Sequence, residues 1–240
     1  MALPKIQAPI YNTKLPVLDK KIQYRPFTVK EEKLLLMAAE SSTADDVFTA
    51  FQQVINNCIV TEGVDAAALH LFDLEVLFLL LRAASVGNEA TLLIRDKQSN
   101  KPVEIVVDLN AVVEESIRNA NIPSKQIPIT DDIGLVMKDI TLSMFLDIAS
   151  SGEELNAEEA YGMIKKLIDK VYDSENVQDL SDYSDAEVDE FLESFRAHEM
   201  EKLYNYLQDM PRVRATVPYT VDGEERELTL EGVTDFFQSA

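Results

Sequence analysis

The residues that could do chemistry are few, and their spacing works against it. His198-Glu199-Met200-Glu201-Lys202 begins like a zinc-binding His-Glu-x-x-His helix but ends in lysine. Without the second imidazole one turn on, such a helix presents one ligand where a zinc site needs two on the same face. The other histidine, His70, lies beside Leu69 and Leu71 and reads as a packed or surface side chain. Asp179, Asp182 and Asp185 recur every third residue and carry the oxygen donors that a hard cation takes. A calcium loop, however, also needs ligands at alternate positions, a turn glycine and a closing glutamate. This stretch has no glycine and reads as a charged linker. The paired carboxylates Glu158/Glu159 and Asp189/Glu190 fall on faces expected to be exposed, where nothing would lift one pKa for acid catalysis. Cys58, the single cysteine, lies in Phe51-x-x-Val54-Ile55-x-x-Cys58 on an apolar helical face. A buried structural thiol is the better reading than a nucleophile, because a reactive cysteine needs partial exposure and positive surroundings, and one cysteine forms no internal disulfide. Seven glycines and no Gly-x-x-x-x-Gly-Lys or Gly-x-Gly-x-x-Gly run argue against a phosphate-cradling loop. No catalytic, cofactor-binding or metal-ligating residue is assigned.

The elements that would position these groups are mostly helical by pattern. Residues 1–27 read as an extended arm, because Pro4, Pro9, Pro16 and Pro26 remove amide donors and disfavour helix at the preceding residue. Ile10, Tyr11, Leu15, Val17, Ile22, Tyr24 and Phe27 make it too apolar for a free tail, so it packs either on its own domain or on a neighbour. Thr28-x-x-Glu31 is a capping-box signature for a helix through Met37 and Ala38. A second helix carries Val47, Phe51, Val54, Ile55 and Cys58 at helical spacing. A third, from about Asp73 to Gly87, is apolar on every side at Val76–Leu81 and belongs at the centre of a core.

The period then changes. Ala90–Ile94 and Val103–Val107 form a hairpin by composition, followed by a short helix, Ala111–Arg118. A proline-marked stretch, Ile122–Ile129, leads through Ile133–Met137 to a helix over Thr141–Ala149. Two further helices are expected to pair as a hairpin. One starts at Asn156 and carries Ile164, Leu167, Ile168 and Val171; the other runs from Ser184 to Met210 and ends at Pro211. The acidic stretch Asp173–Asp185 would join them as a solvated connection. Asp222-Gly223 signals a closing hairpin, and a last helical turn covers Glu231–Phe237. The expected fold is therefore α+β and predominantly helical: a helical N-terminal core and a C-terminal helical hairpin, each with a small β-hairpin. The expected domains are an extended arm over 1–27, a helical domain with a β-hairpin over 28–150, and an acidic helical hairpin with the terminal β-hairpin over 151–240.

Charge narrows the partner classes. The 240-residue chain carries a net charge of −21. Residues 1–33 carry seven Lys/Arg against three Asp/Glu, and residues 121–240 carry ten against twenty-seven. An acidic surface repels nucleic-acid phosphates. Its plain role is solubility, and its functional alternative is a docking face for a basic partner. With 46% hydrophobic residues the chain is expected to pack. Met1–Lys5 lead into no apolar segment of the signal-peptide kind, and the run Val76–Leu81 is far short of a membrane span, so a cytosolic product is expected. Residues that could meet a partner are Ile22, Tyr24, Arg25 and Phe27 of the arm, Phe191 and Phe195 of the long helix, and Phe236 and Phe237 at the end. Core filling is the ordinary use of such aromatics; anchoring a partner is the other.

Several phrases, in this order and spacing, carry a resemblance. They are Leu3-Pro4-Lys5-Ile6, the run Ile22 to Ser41, Gln53–Cys58, Phe72-Asp73-Leu74-Glu75-Val76-Leu77-Phe78, Leu81–Gly87, Ile133-Gly134-Leu135-Val136-Met137-Lys138, Met210-Pro211-Arg212 and Leu230-Glu231-Gly232. Together they resemble the T4-like bacteriophage baseplate hub and hub-assembly proteins over nearly the whole chain. The resemblance implies cysteine pairs near the two hairpins, as small metal-binding knuckles. The corresponding stretches, Ile94–Val103 and Tyr219–Glu227, have none, so packing must hold these hairpins in place of metal. Asp139 stands where the resemblance implies a proline.

The resemblance implies a non-enzymatic part in building the baseplate of a contractile tail. The chain would act either as a chaperone for hub assembly or as a structural hub subunit retained in the virion. Its partners would be other phage baseplate hub proteins, with no cofactor, no nucleic acid and no membrane span. Its place would be the host cytoplasm during assembly, or the tail baseplate. Excess negative charge favours the chaperone, since it suits reversible, salt-sensitive docking over a permanent dry interface. The proline-marked arm favours the subunit. Rival readings from other classes are a metal-dependent hydrolase using the acidic loop and a host-directed binding module.

Overall fold

The computed structural model of the chain describes residues 6–39, 44–144 and 157–237. They divide into two compact units, one drawn from Met1–Ala120 with Arg212–Ala240 and the other from Asn121–Pro211.

In the first unit the proline-marked arm folds back on itself. Strands β1 (Tyr11–Lys14) and β2 (Lys21–Tyr24) pair antiparallel, with Tyr11 opposite Tyr24. Asp19 takes a left-handed conformation in the turn (φ 53°) and pairs with Lys14. Helices α1 (Val29–Ala39) and α2 (Ala44–Cys58) follow. A short turn of 3-10 helix at Ala66–Ala68 leads to α3 (Leu71–Ser85). All of Leu71–Leu79 and Leu81 are buried, so α3 is covered on every side, as its unbroken apolar centre requires. Burying each Leu, Val or Phe side chain there contributes roughly 1.5–3 kcal/mol. Strands β3 (Glu89–Arg95) and β4 (Pro102–Asp108) form the first hairpin, and Asp108 caps α4 (Leu109–Asn119) through the Ala111 N–H. The chain returns to this unit at its far end. Strands β9 (Arg214–Val221) and β10 (Glu224–Glu231) turn at Asp222-Gly223, both with positive φ, before α8 (Gly232–Phe237).

The second unit is built on a four-stranded antiparallel sheet in chain order. Its strands are β5 (Gln126–Pro128), β6 (Gly134–Met137), β7 (Ile168–Tyr172) and β8 (Val177–Asp179). Helix α5 (Ala157–Leu167) precedes β7; α6 (Asp185–Glu193) and α7 (Ala197–Gln208) follow β8. Leu135, Met137, Ile164, Leu167, Ile168, Leu192 and Leu203 form its core. Gly134 faces Tyr172 across the β6–β7 ladder, and a methyl group there would run into the tyrosine ring. The glycine of the Ile133–Met137 phrase thus serves a close approach in which an aromatic ring lies across the sheet.

The predominantly helical fold is overturned. The structure is 43% helical and 27% strand, a mixed α+β fold with four antiparallel sheets among the described residues. The expected C-terminal helical hairpin fails at three places. Ile168 and Val171, expected on a helix face, lie in β7, where β-branched residues pack well on a pleated surface. The acidic connection contains β8 and a 3-10 turn at Leu180–Asp182, capped by the Asp179 carboxylate. The long helix from Ser184 breaks at Ser194-Phe195-Arg196, where the Ser194 hydroxyl donates to the Phe191 carbonyl (2.5 Å). The Glu199 carboxylate then takes the Arg196 N–H (2.7 Å) to start α7. The helix expected over Thr141–Ala149 lies for the most part outside the described residues.

Candidate functional site

The arm residues face their own unit. Ile22 and Tyr24 are buried, and Tyr24 stacks on Tyr11 with ring centroids 5.6 Å apart. Burial, with Tyr11 beside it, pushes the Tyr24 hydroxyl above its usual range. The Arg25 N–H donates to the Cys58 carbonyl (2.9 Å), and its guanidinium pairs with Glu31 (2.9 Å). Glu31 reaches back to the Thr28 N–H (2.8 Å), as the capping signature predicts. Burial raises the Glu31 carboxyl, but the hydrogen bonds from Arg25 and Thr28 outweigh it and hold the group down to about 2. Half-buried Phe27 donates its N–H to the Ser85 hydroxyl (2.9 Å). The Asp73 carboxylate receives the N–H groups of Val17 (2.9 Å) and Leu18 (2.7 Å). The arm is therefore stitched in cis to α1, α2 and α3.

Three of the far-separated phrases meet in one buried cluster. Glu75, fully buried in the second turn of α3, binds Arg212 through Nε (2.8 Å) and Nη2 (2.7 Å) and accepts the Val213 N–H (2.9 Å). Gly232 donates its N–H to the Val213 carbonyl (2.8 Å) and holds φ 69°. A Cβ there would strike the Arg212 guanidinium and come within 3.1 Å of Glu75 Oε1. Burial pushes the Glu75 carboxyl up, against Arg212 and Val213, which favour its ionised form. Met210-Pro211-Arg212, Leu230-Glu231-Gly232 and the Glu75 phrase are thus the parts of one clasp.

A second clasp joins the two hairpins. The Asp96 carboxylate, in the β3–β4 turn, accepts the Ser99 N–H (2.6 Å), the Tyr219 hydroxyl (2.7 Å) and Arg226 Nη1 (2.6 Å). These hydrogen bonds, led by that from Ser99, hold it below the usual carboxylate range. An ionic cluster therefore joins the hairpins, beside the packing expected from sequence. Sequence reasoning did not single out Glu75, Arg212, Asp96, Tyr219 or Arg226. For Glu75 the available signal was an acid directly before the apolar centre of a helix, where burial calls for a partner.

The residues that could do chemistry are occupied or apart. His70 accepts the Phe72 N–H at Nδ1 (3.1 Å) as the cap of α3. Glu199 is held down to about 2 by Arg196, and His198 Nε2 lies 3.9 Å from its carboxylate. Asp179 caps Ser181 and pairs with Lys170 (3.3 Å), which together hold it down to about 2. Burial pushes the Cys58 thiol up to about 11. Asp139 pairs with Lys125 (2.7 Å). Among the described residues there is no group of three His, Cys, Asp or Glu that could hold a metal ion.

Of the terminal aromatics, Phe236 is buried and its carbonyl accepts from Arg82 (2.5 Å); the side chain of Phe237 lies outside the described residues. Phe191 and Phe195 are half-buried and meet edge to face, with centroids 4.9 Å apart. Phe191 also lines a groove of about 220 Å³ with Val171, Leu180, Tyr183 and Val188. Around it the chain is acidic: residues 171–195 hold nine Asp/Glu and no Lys or Arg. The groove is lined mostly by apolar side chains, and the stretch of chain that forms it is acidic.

No helix among the described residues is long and apolar enough to cross a membrane. No curated protein and no solved structure matches the chain. A family model described as T4 bacteriophage base plate protein matches residues 8–238, and the chain belongs to that family.

Proposed function

We propose that this baseplate protein is a non-enzymatic chaperone for assembly of the baseplate hub, acting on other hub proteins of the same phage in the host cytoplasm. The observation that carries the reading is the separation of charge between the units. Residues 121–211 hold seven Lys/Arg against twenty-one Asp/Glu, a balance of −14 out of the chain's −21. A surface of that kind docks fast and releases with salt, because exposed charge steers encounter more than it holds a complex. The proline-marked arm was the feature favouring a retained subunit. Its strands are instead stitched to their own unit through Asp73, Glu31, Ser85 and the Cys58 carbonyl, which weakens the case for a permanent bridge to a neighbour.

Co-expression with each candidate hub protein of the same genome, followed by size-exclusion chromatography and mass spectrometry of purified virions, tests the reading. A soluble complex with a hub protein, formed while this chain is absent from virions, is the expected result. Presence in virions at fixed copy number would make the chain a structural hub subunit. Absence from both complex and virion would defeat the hub reading.

A further inference from the structure

We propose that the groove of the second unit receives an extended segment of another baseplate protein, in which a large aliphatic or aromatic side chain is flanked by lysine or arginine. The partner's class rests on the assembly reading above; the groove's chemistry stands on its own. An apolar cavity of about 150 Å³ holds benzene, so a groove of about 220 Å³ lined by Val171, Leu180, Val188 and Phe191, with Tyr183, Gln178 and Glu187 as its polar wall, has room for one such side chain. On its wall Tyr183 is 42% exposed, and its hydroxyl donates to Gln178 Oε1 (2.6 Å). Val177 begins β8, the last strand of its sheet, and a segment laid along that edge would extend the sheet.

Charge selects the occupant. Lys165 reaches Asp185 and Asp189, and Lys170 reaches Asp179. Among the described residues the other six carboxylates of 171–195, namely Asp173, Glu175, Asp182, Glu187, Glu190 and Glu193, form no ion pair, and all six are exposed. An acidic segment would be repelled and a neutral one would leave the mutual repulsion of the carboxylates in place, whereas lysine or arginine on either side of the anchor would relieve it. A second copy of the chain brings another −21 charges with it, and that mutual repulsion disfavours it as occupant.

The experiment uses the full chain and short overlapping peptides tiling the other baseplate proteins of the same phage, with a peptide of this chain's residues 6–14 as control. Binding is read by fluorescence polarisation at low and at physiological salt. Bound peptides are expected to share an apolar anchor between basic residues and to weaken as salt rises. Tyr183→Ala, and separately the double reversal Asp182→Lys with Glu190→Lys, should each weaken binding roughly tenfold or more while the melting midpoint holds. Binding that ignores both variants, or no bound peptide, overturns the proposal. Binding of the 6–14 peptide alone overturns it in favour of a second copy. The two readings fail separately. A co-expressed complex that forms equally well with the groove variants refutes the groove and leaves the chaperone standing. Groove-dependent peptide binding without any soluble hub complex does the reverse.

Discussion

In the first unit, three fully buried carboxylates are answered from far along the chain. Asp73 binds amides 55 and 56 residues away, Glu75 binds groups 137 and 138 residues away, and Asp96 binds groups 123 and 130 residues away. In the second unit the answering groups lie closer in the chain, and of Asp173, Glu199, Asp179 and Asp189 only Glu199 is buried. Asp173 binds amides two and three residues on, Glu199 binds Arg196 three residues back, Asp179 binds Lys170 nine residues back, and Asp189 binds Lys165 across 24 residues. The same residue types therefore do different physical work. A buried anion must keep its partner, since losing it leaves an uncompensated charge in a medium that solvates it badly. An exposed anion keeps its hydration and contributes little to stability. Acidity stabilises the first unit's fold and supplies the second unit's surface.

The sharpest way to break this comparison is at Arg212. Arg212→Ala leaves Glu75 buried with only the Val213 N–H, and the expected cost is about 3–5 kcal/mol, measured as the shift in denaturant midpoint. A loss well under that range would mean that the clasp is dispensable and the contrast between the units is misplaced. Gly232→Ala should cost less, about 1–3 kcal/mol, because it forces an alanine to positive φ and displaces the guanidinium that Gly232 admits. Acid should act through Glu31. Its folded pKa, about 2, lies below the 4.5 of an unperturbed glutamate. The stabilisation is therefore complete above about 4.5 and is lost as pH falls toward about 2. Stability curves for the wild type and Glu31→Gln should converge across that window; parallel curves would show that Glu31 is not held as the Arg25 and Thr28 contacts imply.

Much of the local structure was legible because local physics sets it. The Val76–Leu81 run had to be buried on all sides, Asp222-Gly223 had to turn a hairpin, and Thr28-x-x-Glu31 had to open α1. The second unit's sheet was not legible for the same reason. Leu167-Ile168-x-x-Val171 satisfies a helical period and a short strand equally well, and only pairing with Gly134–Met137, some thirty positions earlier, decides between them. The break at Ser194–Arg196 was hidden because arginine is an unusual first residue for a helix; its sign was Glu199 three positions later. Neither ionic clasp could be read from spacing, since each joins residues more than a hundred positions apart. The groove was half visible. Phe191 and the acidic run were in plain view, but only β8 and the 3-10 turn after it bring Gln178 and Tyr183 beside Phe191.

The smallest expected effect bears most directly on function. Glu175→Gln with Glu190→Gln removes two exposed charges that make no ion pair among the described residues. Substitutions of this kind typically change stability by about 0.5 kcal/mol or less, so thermal and denaturant midpoints should hardly move. Relief of like-charge repulsion could even raise them slightly. The co-purified complex should nevertheless become weaker and lose part of its salt dependence, because each removed charge is one fewer for a basic segment to meet. If the pair instead destabilised the chain as Arg212→Ala does, its carboxylates would belong to the fold like Glu75. If neither stability nor complex changed, the acidity would serve solubility alone, and recognition would rest on the apolar groove.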